Sequence, residues 1–149
     1  MLRNFLVVGF LGLASAGSAF AQACPCVSSP AVLINDSAAL ATKLGNKMAC
    51  AVVGNEQWQE WHNGSSSGPV LDYKKGPADP VDPSTNVGTF VINADATISY
   101  TYGSSTYKYA VCSEGTGSTT HFCGAAYGGR DILNARVGGA GLQACSGVN

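Results

Sequence analysis

Charge is what this chain has least of. Its 149 residues hold eight Lys and Arg against nine Asp and Glu, a formal net charge of −1. No basic run goes beyond the pair Lys74-Lys75, which argues against the cationic surface that nucleic acid or an anionic membrane requires. Long apolar stretches are also missing beyond residue 23, so no bilayer-spanning helix is expected there. Nothing has the spacing of an EF-hand: Asp79, Asp82 and Asn86 offer oxygen ligands, but in a segment stiffened by prolines that reads as a rigid surface loop. The histidines, His62 and His121, do not stand at zinc-ligand spacing, and no metal or cofactor is implied.

What is present starts with the first 21 residues. A single arginine, an apolar run from Phe5 to Leu13 and then small residues make the three-part pattern of a secretory signal peptide. Ala19-Phe20-Ala21 fits a cleavage site, and Ala21-Gln22-Ala23 fits one as late as residue 23. The later cut would leave Cys24 first, as a lipid anchor would need, although Ala21 and Gln22 match such a site poorly. The expected place of work is therefore secreted or periplasmic. All six cysteines, Cys24, Cys26, Cys50, Cys112, Cys123 and Cys145, follow the leader, and an even set in an exported chain reads as disulfides. Cys24-Pro25-Cys26 could instead chelate a soft metal, but no other Cys or His lies near it in sequence to complete a site.

Residues 22–35 lack periodicity and read as an N-terminal arm, followed by one domain over 36–149. Asp36 is a natural N-cap and Gly45 a stop, with Leu40 and Leu44 on one face between them, so a short helix is expected over about 37–44. From Met48 the apolar period becomes two. MACAVV, QWQEWH, PVLDYK, VGTFVIN, TISYTYG, TYKYAVC, THFCG and ILNARV are each of strand length and are separated by turn-forming residues. Short connections predict an antiparallel up-and-down meander of about eight strands, and closure into a small barrel would hide its edges. The expected fold is all-β, disulfide-stapled, with one short N-terminal helix.

A turn centred between Gly117 and Ser118 would set Cys112 opposite Cys123, close enough to bond. The other four cysteines then remain, with the N-terminal arm expected to reach Cys50 and Cys145.

The densest chemistry lies in Glu56-Gln57-Trp58-Gln59-Glu60-Trp61-His62. On a strand, Trp58, Glu60 and His62 share one face while Gln57, Gln59 and Trp61 share the other. A ring, a carboxylate and an imidazole in a row could hold a small ligand at a barrel mouth, joined by Tyr100, Tyr102 and Tyr109 (and Tyr107 beside them). They equally suit a tryptophan in the core beside a paired Glu60 and His62, and tyrosines are commonly the core of a small sheet. Acid–base catalysis by Glu60 and His62 ranks last, because the cysteines are assigned to disulfides and no nucleophile is assigned to partner them.

Trp58-x-Glu60-x-His62, Gly76 with Asp79-Pro80 and Asp82-Pro83, Val87-Gly88-Thr89-Phe90, Tyr100-x-Tyr102-Gly103, Tyr107-x-Tyr109-x-Val111 and Phe122-Cys123-Gly124 follow one another in an order that resembles small secreted bacterial proteins with a lipocalin-like, or calycin-like, barrel. The resemblance spans about residues 40–137, with Phe90 where relatives often carry tryptophan. It implies a barrel and an exported location, and no chemistry. The functions in view are a module that binds a small ligand or a secreted protein partner, a subunit that assembles through a strand edge, and, last, an enzyme.

Overall fold

The computed structural model describes residues 24, 26, 30–53, 56–73 and 85–145. The leader and most of the proline-rich segment, with Asp79 and Asp82, lie outside them.

The helix α1 runs Ser37–Leu44. The Asp36 carboxylate accepts the Ala39 N–H at 2.7 Å, satisfying one of the amides left open at the first turn. Gly45 ends the helix by donating its N–H to the Ala41 carbonyl. Leu40 and Leu44, one turn apart, are fully buried.

The strands are β1 (Ala31–Leu33), β2 (Met48–Val53), β3 (Glu56–His62), β4 (Ser67–Asp72), β5 (Thr85–Ile92), β6 (Thr97–Tyr102), β7 (Ser105–Glu114), β8 (Thr119–Cys123) and β9 (Ile132–Gly138). Each of β2 to β9 pairs antiparallel with its neighbours in sequence, and β2 pairs with β9, so these strands close into a barrel. The eight strand segments expected from the alternation are those that form it. One strand was not legible: β1, in the arm, adds to the far end of β7 through Ala31–Glu114, Val32–Ser113 and Leu33–Cys112 pairs. Three residues are too few to show a period.

Alternation places Val70, Phe90, Ile98, Tyr100, Tyr109, Val111, Phe122, Ile132, Ala135 and Val137 inside, in one cluster with Leu40 and Leu44. The helix thus plugs one end of the barrel, on the side of the β3–β4, β5–β6 and β7–β8 turns. Lys43 Nζ donates to the Gly117 carbonyl there at 2.9 Å. Tyr100 is the hub of the interior rings, with His62, Tyr102, Tyr109 and Phe122 centred 5.5, 6.1, 5.8 and 6.3 Å away. The void between Trp58, Glu60, Tyr100, Phe122 and Ile132 measures about 10 Å³, at the lower limit for one water. Among the described residues the barrel interior is packed there by side chains.

Three disulfides join Cys24 to Cys123, Cys26 to Cys112 and Cys50 to Cys145. The expected Cys112–Cys123 bond is therefore wrong, as is an arm tied to Cys50 and Cys145. The β7–β8 turn uses Gly115 at φ +55° and is centred between Thr116 and Gly117. Moving the centre by one residue shifts the ladder by two, so Cys112 faces His121 and Cys123 faces Ala110. Both cysteines still point outward, and the arm crosses over them and takes one each. Cys50 instead anchors the C-terminal segment over the outer face of β2 and β3. Met48, Trp61, Tyr73 and Leu142 pack around that bond, so this face is covered where plain alternation would leave it wet. Among the described residues no helix is long and apolar enough to cross a membrane.

Candidate functional site

Strand β3 carries Trp58, Glu60 and His62 on its inner face, but at different depths. His62 lies at the helix end and is fully buried. Its Nδ1 is 3.0 Å from the Leu44 carbonyl and its Nε2 2.8 Å from the Tyr100 hydroxyl. A carbonyl only accepts, so Nδ1 carries the hydrogen and donates it; Tyr100 then donates to Nε2. Burial pushes the imidazole down to about 4, against a hydrogen bond to Leu44 that favours its protonated form. Such a histidine is neutral and committed on both sides. It joins the plugging helix to the barrel interior.

Glu60, two residues toward the other end, is partly buried and accepts the Tyr102 hydroxyl at 2.7 Å. Loss of hydration drives its carboxyl up to about 7, the hydrogen bond from Tyr102 holds it back, and the Asp72 carboxylate raises it further. The Tyr102 phenol is raised in turn, first by burial and then by the Glu60 charge. Glu60 and His62 do not hydrogen-bond each other: their partners are Tyr102 on one side, and Leu44 and Tyr100 on the other. The acid–base pair that a catalytic reading needs is not assembled.

Two glycines make room for the rings here. A Cβ on Gly88 would meet Tyr102 Cδ1 at 2.8 Å, and one on Gly124 would meet Tyr109 Cε1 at 2.7 Å and the Arg130 carbonyl at 2.5 Å. Both would also press on backbone, so neither position accepts a larger residue without a shift.

Above them the barrel end opposite the helix opens into a cleft of about 560 Å³, lined by Trp58, Glu60, Tyr102, Tyr107, Tyr109 and Arg130. The Arg130 guanidinium sits over the Trp58 ring, 5.7 Å from its centre. Tyr107 is exposed, with its ring 6.1 Å from that of Tyr102. Of the residues singled out from sequence, Trp58, Glu60, Tyr102 and Tyr109 meet here, whereas His62 and Tyr100 lie below in the packed interior. Arg130 was not legible. It sits in Gly128-Gly129-Arg130-Asp131 between β8 and β9, and only barrel closure brings that loop to Trp58.

His121 stands apart on the outer face of β8. The Asn134 N–H donates to its Nδ1 at 3.1 Å, so Nε2–H donates to Glu114 at 3.0 Å. It shares no site with His62. Gly64-Ser65-Ser66-Ser67-Gly68 has the Gly-x-Ser-x-Gly spacing. It joins β3 to β4 at the plugged end, and lacks the strand-to-helix turn that makes such a serine a nucleophile.

Comparison with protein-family models, with curated proteins and with solved structures finds no match. The fold stands on its own geometry, and the resemblance to lipocalin-like proteins reaches as far as the antiparallel barrel.

Proposed function

We propose that this is an exported, disulfide-stapled, lipocalin-like barrel of bacterial type that binds a compact ligand at its open end rather than in its interior. One contrast carries the reading: the interior is filled, while the cleft of about 560 Å³ at the mouth gathers four aromatic rings, a carboxyl and a guanidinium. Rings supply contact area, and a few fixed polar groups set orientation. Tyr and Trp faces beside hydrogen-bonding groups suit a saccharide ring or a similar flat ligand with a polar rim. Export is supported by the leader pattern and by three disulfides, which persist in oxidising compartments.

Assembly through a strand edge has less support. Closure pairs β2 to β9 around the ring, and the short outer edge of β1 pairs with no other strand among the described residues.

The test is a thermal-shift and calorimetric screen of mono- and oligosaccharides and cell-wall fragments against the mature protein. A hit should weaken at least tenfold in Tyr107→Ala, which removes an exposed ring and leaves the core intact, and more in Trp58→Ala. If no compound of these classes raises Tm, or if binding survives both substitutions, the reading fails.

A further inference from the structure

Cys24-Pro25-Cys26 lacked a partner in the sequence, and the fold supplies two. Cys112 on β7 and Cys123 on β8 stand diagonally across the ladder on the outer wall of the barrel, and the arm lays Cys24 and Cys26 upon them. The four sulfur atoms all lie within 4.8 Å of one another. Sulfurs that are not bonded to each other are also in contact: Cys26 to Cys123 at 3.2 Å and Cys112 to Cys123 at 3.8 Å. Two disulfides elsewhere in a small protein need not touch; these form one sulfur cluster.

A tetrahedral zinc thiolate site has Zn–S bonds of about 2.3 Å, which by simple geometry sets its sulfurs about 3.8 Å apart. The cluster spans that distance on either side. Its surroundings fit as well. Cys112 is fully buried and Cys123 nearly so, Ala31 packs against them, and Cys24 and Cys26 are partly buried beside them. Strands β7 and β8 hold two ligands rigidly while the Cys-x-Cys of the arm brings the other two on one short segment.

We infer that the reduced protein binds one Zn²⁺ through Cys24, Cys26, Cys112 and Cys123, so that the arm is fastened to the barrel by metal in one redox state and by two disulfides in the other. The balance closes with a dithiol as reductant. Each disulfide accepts two electrons and two protons, giving two thiols and one cyclic disulfide from the dithiol. Zn²⁺ then replaces the four thiol protons, which are released. In the reverse direction a disulfide oxidant removes four electrons in all, the two sulfur pairs re-form, and Zn²⁺ leaves.

The experiment uses the mature chain, reduced with a phosphine to avoid competing thiols, with Co²⁺ as the spectroscopic probe. The expected result is one Co²⁺ per chain with the visible bands and sulfur charge-transfer absorption of a tetrahedral tetrathiolate, displaced stoichiometrically by Zn²⁺. In the zinc-loaded protein, alkylation followed by peptide mapping should find these four cysteines protected and Cys50 and Cys145 modified. The Cys50→Ser/Cys145→Ser variant should keep the spectrum and Cys24→Ser/Cys26→Ser should lose it. Because either variant could unfold, the wild-type protection pattern decides by itself. Protection of a different set of cysteines, or no Co²⁺ uptake by the reduced wild type, overturns the inference.

Discussion

The Tyr102 hydroxyl reaches Glu60 at 2.7 Å across 42 residues of sequence, from β6 to β3, at the neck between the filled interior and the open cleft. It is the contact through which the mouth meets the core, and the burial of Glu60 at this neck, which the hydrogen bond only partly offsets, sets a pH dependence. Glu60 keeps its proton up to about 7 in the folded protein, against 4.5 ordinarily. Between those values the folded state binds more protons than the unfolded chain, so this group makes stability fall as pH rises. Allowing for partial exposure, the loss is on the order of 2 kcal/mol. Glu60→Gln should remove this contribution, so that the variant gains stability relative to wild type at pH 7 but not at pH 4.5, as chemical denaturation at the two values would reveal.

His62 acts with the opposite sign in nearly the same window. Its imidazole is held down to about 4 from 6.5, so the unfolded chain binds the extra proton and stability rises with pH over that range. The full effect is about 3 kcal/mol, present above 6.5 and lost as pH falls through 4. The two slopes oppose each other, and the wild-type profile between about pH 4.5 and 6.5 should be nearly flat. His62→Gln should expose the falling limb and Glu60→Gln the rising one. Parallel profiles in both variants would show that these groups do not titrate as their surroundings require.

Gly124→Ala should destabilise by about 1 to 3 kcal/mol, because its methyl would enter the Tyr109 ring and the Arg130 carbonyl. Gly88→Ala should cost a similar amount at Tyr102. Urea midpoints test both. Gly103→Ala, with open space around it but φ of +57°, is the control for strain without a clash, and its cost should be nearer 1 kcal/mol.

Peptide mapping of oxidised protein should return Cys24–Cys123, Cys26–Cys112 and Cys50–Cys145. The third closes a separation of 95 residues, for which chain entropy assigns a stabilisation of about 4 to 5 kcal/mol. Cys50→Ser/Cys145→Ser should lower Tm by roughly 10 to 20 °C and loosen the segment that covers Trp61.

Much of the barrel could be read from the alternation of residues such as Ile98, Tyr100, Tyr109 and Val111, since burial of one face forces a period of two. The helix was equally open, because Asp36, Leu40, Leu44 and Gly45 are local signals. Cysteine pairing was not. It hinged on whether the β7–β8 turn centres one residue earlier, a choice between two glycines that local sequence leaves undecided. Depth along a strand was hidden too: period two places Glu60 and His62 on one face but does not say that one meets a mouth and the other a plug. Arg130 became part of the cleft through closure, a property of the whole ring of strands.

Every disulfide joins a cysteine at or before position 50 to one at or after position 112. A protease that cuts once anywhere between Cys50 and Cys112, whether at the β2–β3 turn or in the proline-rich connection, therefore cannot release a fragment. The nicked chain would keep its full mass under oxidising conditions and part into two pieces only when reduced. A protein built this way outlasts a single cleavage as one covalent body, with both halves still held in place to keep the ring of strands closed.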